Sequence, residues 1–435
     1  MSDPAFTRRQ LLGRAVRYGG ALAGAGLLLS QTDLWRLLLP EQAEPGPESA
    51  PEPAPTLGPA PGKALADDKL SKLLKISRPA RYWISTRSKG AVCTDCHRPA
   101  DVGGVTQHDH VRVQVRCQLC PRQCLLGEGE RGMCRARIHI KGELRTLVYG
   151  RPITVHVDPV EKKPFYHFLP GRNAYSLATS GCPLRCKFCQ NWQISQALPE
   201  DYGSSFISPS EIVSQAERKR SPIIAYTYNE PTVFTEYLTD IARKARPRGV
   251  RSVLVSCGFV NELPLREMCE VLDGIKIDLK GFSRDFYRRA CGAELDPVLR
   301  SIKQVARSGV HLEIVNLVVP TLNDSDNMLK ALAKWVVGEV GPDVPVHFTR
   351  FHPDYQLRNL PPTPTATLER ARETAMDAGV RYAFVGNLPG HPGNHTYCPK
   401  CRKIVVERRG FFLAENHVRA GRCEYCNEKI AGVWS

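Results

Sequence analysis

The chain has no long basic run and no stripe in which aromatic and basic residues alternate, although basic residues outnumber acidic ones by 60 to 44. The arginines are scattered, so the electrostatic footprint of a nucleic-acid binder is missing and no nucleic acid is expected as a partner. The shortage of acidic residues leaves a formal charge of +16. That balance favours anionic cofactors, acidic partners or a membrane surface. Long apolar runs are lacking too. Tyr18 to Ser30 is an apolar stretch of about a dozen residues, where a spanning helix needs about 20. Extending it through "DLWRLLLP" buries Arg36. No A-x-A site follows it, so cleavage is left open.

At 435 residues and 42% apolar content, the chain can build a full-sized catalytic domain and smaller modules. Its start is not expected to fold with them. "TRRQLL" (Thr7 to Leu12) sets paired arginines ahead of the apolar stretch and resembles a twin-arginine signal, so residues 1–39 read as an export signal or a membrane anchor. Pro, Ala, Glu and Gly dominate from Pro40 to Gly62, and residues 40–77 read as an extended linker.

Sixteen cysteines are many for this length, and most sit in C-x2-C pairs. Two sulfurs at that spacing face one ion across a tight turn, which is metal spacing rather than a disulfide framework. Residues 78–171 form a cysteine-rich segment with few strand or helix patterns. From 172 to 390, strand-like runs alternate with helix-like stretches: "AYSLATS", "PIIAYTY", "VRSVLVS", "GIKIDLK", "VHLEIVNLVVP", "PVHFTRF" and "VRYAFVG". The alternation predicts an α/β fold, a partial (β/α)6 barrel in preference to a flat doubly wound sheet, with its chemistry at the C-terminal strand ends. Residues 391–435 predict a short cysteine ribbon.

Directly after the first of these strands comes "GCPLRCKFCQNWQISQ", with Cys182, Cys186 and Cys189 spaced C-x3-C-x2-C. Four thiolates close a metal site. Three on a [4Fe–4S] cluster leave one iron open to another ligand. This motif, with Phe188 before the last cysteine, resembles the signature of radical S-adenosylmethionine enzymes. The resemblance implies a [4Fe–4S] cluster on Cys182, Cys186 and Cys189, with the methionyl group of S-adenosylmethionine on the open iron. It also implies reductive cleavage to a 5′-deoxyadenosyl radical, the cofactor supplying the radical chemistry. Further candidates for the cosubstrate follow. Asn229 and Glu230 of "YTYNEPT" suit an ammonium, or else form a helix cap before Pro231. Asp278 and Lys280 of "IKIDLKG" share one face, to meet the methionyl carboxylate or to form a buried ion pair. His352 of "TRFHPD" is a contact for adenosine or a structural histidine. Phe188 and Asn191 complete the set. Cys257 stands where relatives carry Asn-Gly and reads as a buried thiol; Cys269 and Cys291 are assigned nothing.

Longer motifs narrow the resemblance. "RCQLCPRQCLLGEGERGMC", "DPVEKKPFYHFLPG", "CQNWQISQ" and the terminal "GVW" are similar to the AmmeMemoRadiSam system radical SAM enzymes, a family similar to pyruvate formate-lyase activating enzymes. The resemblance implies Memo-like and AMMECR-like neighbours, a reductant such as a flavodoxin or ferredoxin, and a substrate not yet identified, a protein backbone being one target. A glycyl-radical enzyme activase and a non-catalytic iron–sulfur electron-transfer protein are the alternatives.

Cys117, Cys120, Cys124 and Cys134 (C-x2-C-x3-C-x9-C) can close around zinc or an auxiliary cluster. Cys398, Cys401, Cys423 and Cys426 (C-x2-C-x21-C-x2-C) predict a zinc-ribbon or rubredoxin-like site for zinc or iron. Cys93 and Cys96, with His97, read as a metal knuckle or a c-type haem attachment sequence. The N-terminus points to export or anchoring, whereas the cosubstrate points to cytoplasmic chemistry.

Overall fold

A computed structural model describes residues 68–85, 113–203 and 205–435. The signal-like start, most of the linker and the Cys93–Cys96–His97 motif lie outside the described residues. Among the described residues no helix is long and apolar enough to cross a membrane.

The centre is an eight-stranded sheet whose strands follow one another in space in chain order. They are β1 (Thr154–Pro159), β2 (Asn173–Ala178), β3 (Ile223–Tyr226), β4 (Arg251–Ser256), β5 (Gly274–Asp278), β6 (His311–Val318), β7 (Val346–Arg350) and β8 (Ala383–Gly386). β1 pairs antiparallel with β2, and every later pair is parallel. Six helices connect the parallel strands: α1 (Pro209–Arg218), α2 (Thr235–Ala245), α3 (Glu262–Cys269), α4 (Leu295–Ser308), α5 (Asp326–Glu339) and α6 (Thr365–Asp377). A doubly wound sheet reverses its strand order part-way; this one does not.

The strands read as continuous apolar runs because both faces are covered. All four residues of β3 and of β8 are buried. Side chains alternate between two cores. Ile224, Leu254, Ile275 and Ile277 pack with helix residues such as Ile212, Leu238, Ile302 and Leu332. α4 shows why: Val298, Ser301, Ile302 and Val305 recur at helical spacing and are buried. On the other face Ala174, Ile223, Ala225 and Val253 pack against Val160, Phe165 and Phe168. Ala174 and Ile223 lie at the N-terminal ends of β2 and β3, and Phe165 and Phe168 also pack on His311 at the start of β6, so residues 160–169 stopper that end of the sheet. Glu313, fully buried, anchors the stopper by accepting from the backbone N–H of Tyr166 at 2.9 Å and of His167 at 2.8 Å. The last residues of the chain lie along it. Val433 N–H donates to the His167 carbonyl, and Leu169 N–H donates to the Val433 carbonyl, each at 2.7 Å.

Two expectations change. Asp68–Ile76, inside the stretch expected as linker, is a helix. The Pro-rich composition stops at Gly62, and Leu70, Leu73 and Leu74 then supply an apolar face that packs near Ile138 and Leu147. The cysteine-rich segment also carries more strand than its pattern suggested. Arg78–Pro79, Glu143–Thr146 and Arg137–Ile140 form one small antiparallel sheet; Trp83–Ser85, Val115–Cys117 and Leu125–Leu126 form another. β1, also within that segment, extends the main sheet. At the C-terminus Thr396–Tyr397, Ile404–Arg409 and Phe412–Asn416 make a three-stranded antiparallel sheet, followed by a two-stranded ribbon.

Candidate functional site

With the N-terminal strand ends stoppered, the C-terminal ends are left for chemistry. The three-cysteine loop leaves β2 and docks against the turn after β5. Arg185 N–H donates to the Cys291 carbonyl and Lys187 N–H to the Ala290 carbonyl, each at 2.9 Å. This brings Cys291 beside Cys186. The Cys291 thiol donates to the Cys186 sulfur, and that bond outweighs burial and holds the Cys186 thiol below its usual range, toward the thiolate that a metal requires. Burial pushes Cys189 and, more strongly, Cys182 upward. Phe188 is buried and stacks on Phe286, with ring centres 6.0 Å apart.

The end of β3 turns toward this loop. Tyr228 sits at φ 70°, a conformation uncommon for a bulky residue, and is held from both sides. Its hydroxyl donates to Asp158 at 2.7 Å, and its carbonyl accepts from Asn191 Nδ2 at 2.9 Å. The turn aims Asn229 back at the cysteine loop, where Nδ2 donates to the Gly181 carbonyl at 2.9 Å. The Asn229 amide oxygen is buried with no hydrogen-bond partner. Glu230 is the cap of the short helix Pro231–Phe234, accepting from Thr232 N–H at 3.2 Å. Its carboxylate also accepts from Ser256 Oγ at 2.8 Å and from Cys257 N–H at 2.7 Å. Thus the capping role read in the sequence is present, and Cys257 sits within the site as a buried neighbour of Glu230.

At the end of β5 Asp278 pairs with both Lys276 and Lys280, the latter at 3.2 Å. Burial pushes the Asp278 carboxyl up, but the two ammonium groups outweigh it and leave it at about 2. Burial lowers Lys280, and the negative charge of Asp278 together with the sulfurs of Cys186, Cys291 and Cys257 more than reverses that. Its ammonium lies 6.0 Å from the centre of the Phe188 ring, tying β5 to the cysteine loop. The ion-pair reading of these two residues is therefore present. His352 is exposed, and its ring bonds only the neighbouring Pro353 carbonyl at 3.0 Å; the structure does not bond it to the other candidates. Sequence reasoning missed Cys291, Lys276 and Ser256. No spacing marks Cys291, because the turn that brings it to Cys186 lies more than 100 residues downstream.

Residues 176–336 match the radical SAM superfamily. An uncharacterized protein of Methanocaldococcus jannaschii is 43% identical over 319 residues, covering 73% of this chain and 95% of that protein. The chain belongs to the radical SAM superfamily. Pyruvate formate-lyase 1-activating enzyme of Escherichia coli (strain K12) is 22% identical over 222 residues, 47% of this chain and 89% of the enzyme. A radical SAM methyltransferase structure from Sphaerobacter thermophilus aligns with 52% of this chain and 71% of its own, at 15% identity and TM-score 0.40.

Membership of the radical SAM superfamily implies a [4Fe–4S] cluster and S-adenosylmethionine, and the residues present fit both. Three cysteines stand in one loop beside Asn229, whose unpartnered buried amide oxygen is an acceptor that an ammonium would satisfy.

The C-terminal cysteines form a separate candidate metal centre. The sulfurs of Cys398, Cys401, Cys423 and Cys426 all lie within 4.8 Å of one another. Cys398 and Cys426 are 3.5 Å apart, and Cys401 and Cys423 are 3.8 Å apart. A tetrahedron of Zn–S bonds has edges of about 3.8 Å. Among the described residues no other group of three or more Cys, His, Asp or Glu is so tightly gathered.

Proposed function

We propose that the chain cleaves S-adenosylmethionine reductively and uses the 5′-deoxyadenosyl radical to abstract hydrogen from a substrate. The observation that carries this reading is the meeting, at adjacent strand ends, of the three-cysteine loop with the unpartnered oxygen of Asn229. Cys182, Cys186 and Cys189 would hold the cluster. When bound and reduced, the cluster supplies one electron to the sulfonium, whose carbon–sulfur bond breaks to give methionine and the adenosyl radical.

The chain's own part is to bind, orient and exclude water. Asn229 Oδ1 accepts from the methionyl ammonium, with the Glu230 carboxylate behind it adding negative charge. Lys280 offers its ammonium to the methionyl carboxylate while Lys276 keeps Asp278 paired. Asn191 fixes the turn at Tyr228, and Phe188 closes the wall beside Lys280. The assignment of His352 to the adenosine end rests on its place after β7 alone.

The long motifs support the narrower reading as an AmmeMemoRadiSam system enzyme on a partial (β/α)6 barrel, with Memo-like and AMMECR-like neighbours. Similarity to the activating enzymes supports a protein as hydrogen donor and a flavodoxin or ferredoxin as reductant. Sulfur spacing supports zinc in the ribbon. The test is anaerobic: reconstitute the protein with iron and sulfide, reduce it with dithionite, add S-adenosylmethionine and quantify 5′-deoxyadenosine. The product should form and should vanish in Cys186→Ala. A loaded, reducible cluster that gives none, with or without candidate substrates, would sink the proposal in favour of an electron-transfer protein.

A further inference from the structure

Cys117, Cys120, Cys124 and Cys134 surround one cavity, whose remaining wall includes Gly132, Arg137 and Pro183. The spacing of their sulfurs is informative because the same chain holds two reference sites. The ribbon sulfurs are gathered as ligands of a single ion. The sulfurs of Cys182, Cys186 and Cys189, the cluster ligands of a radical SAM enzyme, are not all within 4.8 Å of one another, and neither are any three of the N-terminal four. Ligands of one ion crowd around it, whereas ligands of a cluster sit on different irons and stand further apart. The N-terminal set therefore lacks the crowding of a single-ion site, as the three-cysteine loop does.

Two further observations point the same way. Gly132 lines the cavity between two of its sulfurs. A Cβ on Gly132 would lie 3.7 Å from the sulfurs of both Cys124 and Cys134. Arg137, 1% exposed, lines the cavity with a donor left over. Its Nη1 donates to the Arg81 carbonyl at 2.7 Å and its Nη2 to Glu236, but its Nε–H is buried with no partner. A buried donor left unpaired is costly, and cluster sulfur with anionic ligands is the acceptor that fits it.

We infer that Cys117, Cys120, Cys124 and Cys134 bind a second, polynuclear iron–sulfur cluster, with Arg137 Nε–H donating to its sulfur. The site is packed against the first. Gly181, the residue before Cys182, has φ 98°, and a Cβ there would collide with the carbonyl oxygen of Cys134. Arg185 bridges the two loops, donating to the Cys182 carbonyl at 2.8 Å and the Met133 carbonyl at 2.5 Å. Thr232, on the cavity wall, donates its hydroxyl to Glu230 at 2.9 Å.

Acid-labile sulfide discriminates, since a zinc ion or a single iron on four thiolates carries none. After anaerobic reconstitution with iron and sulfide, the unsubstituted full chain should hold about eight sulfides if both clusters are [4Fe–4S], or about six if the second is [2Fe–2S]. The Cys182→Ala/Cys186→Ala/Cys189→Ala chain should keep about four or two of these. Adding Cys120→Ser and Cys134→Ser should remove them. About four sulfides in the unsubstituted chain would overturn the inference, and this count needs no variant to fold. So would a triple variant, folded by circular dichroism, that holds zinc and no sulfide. 5′-Deoxyadenosine formation reads the radical reaction separately, so failure of one reading does not mimic failure of the other.

Discussion

Asn229 holds the carbonyl of Gly181 at 2.9 Å through its amide nitrogen while its amide oxygen, buried, bonds nothing. The side chain thus joins the cysteine loop to an acceptor with spare capacity. Asn229→Ala removes both. Losing one hydrogen bond to a charged group costs about 1.5–3 kcal/mol. The dissociation constant for S-adenosylmethionine should therefore rise by about 10- to 150-fold. Equilibrium binding to the reconstituted variant, with cluster absorbance as the check on loading, measures it. Unchanged affinity would remove Asn229 from the cosubstrate site.

The pairing of Asp278 with Lys276 and Lys280 makes an acid-side prediction. The folded carboxyl titrates at about 2, below its ordinary value of 3.8. A depressed carboxyl stabilises the fold fully above its unfolded value and loses that contribution as pH falls through the folded one. Asp278→Asn should thus be less stable than the unsubstituted chain at pH 6, and the difference should shrink between about pH 4 and pH 2. Urea unfolding across that range gives the curve, and a difference independent of pH would contradict the pairing.

Gly432 sits at φ 147°, where a Cβ would lie 2.6 Å from the His167 carbonyl oxygen and 3.0 Å from its Cβ. Gly432→Ala should destabilise the protein by about 1–3 kcal/mol, the usual cost of forcing a side chain into such a conformation. The cysteine loop is far from this contact in the chain, so cluster loading at low temperature should be kept. Thermal melting together with a sulfide count separates the two effects.

The ribbon should behave as a closed structural site. Metal analysis of Cys401→Ser should show one metal equivalent lost and no change in labile sulfide, with a lower melting temperature, because binding energy at such sites is folding energy. A loss of sulfide in this variant would mean that the ribbon cysteines serve a cluster.

How far the sequence showed this depended on what kind of contact each residue makes. The parallel strands were legible because each is a short apolar run buried on both faces, as "PIIAYTY" is. β1 was not: His156 and Val157 are exposed, so "TVHVDP" lacks that signature. The cysteine loop was legible from spacing, since its three cysteines lie within eight residues. Cys291 was not, because its position depends on how the turn after β5 folds back. Glu230 and Asp278 were each read two ways, and the structure supplies the capping and ion-pairing contacts that local spacing could suggest. The four N-terminal cysteines were legible as a candidate metal site, but the sulfur separations that bear on the metal are not carried by a sequence.

His167 and Ala431, which share a 2.6 Å hydrogen bond, are separated by 264 residues. During synthesis at about 5–20 residues per second, that interval lasts roughly 13–50 s. The parallel strands of the sheet are made within this interval, and the last of them, Ala383–Gly386, ends only 45 residues before Ala431. The completed sheet therefore waits roughly 2–9 s for the residues that pair with its stopper. Slower translation lengthens that wait in proportion.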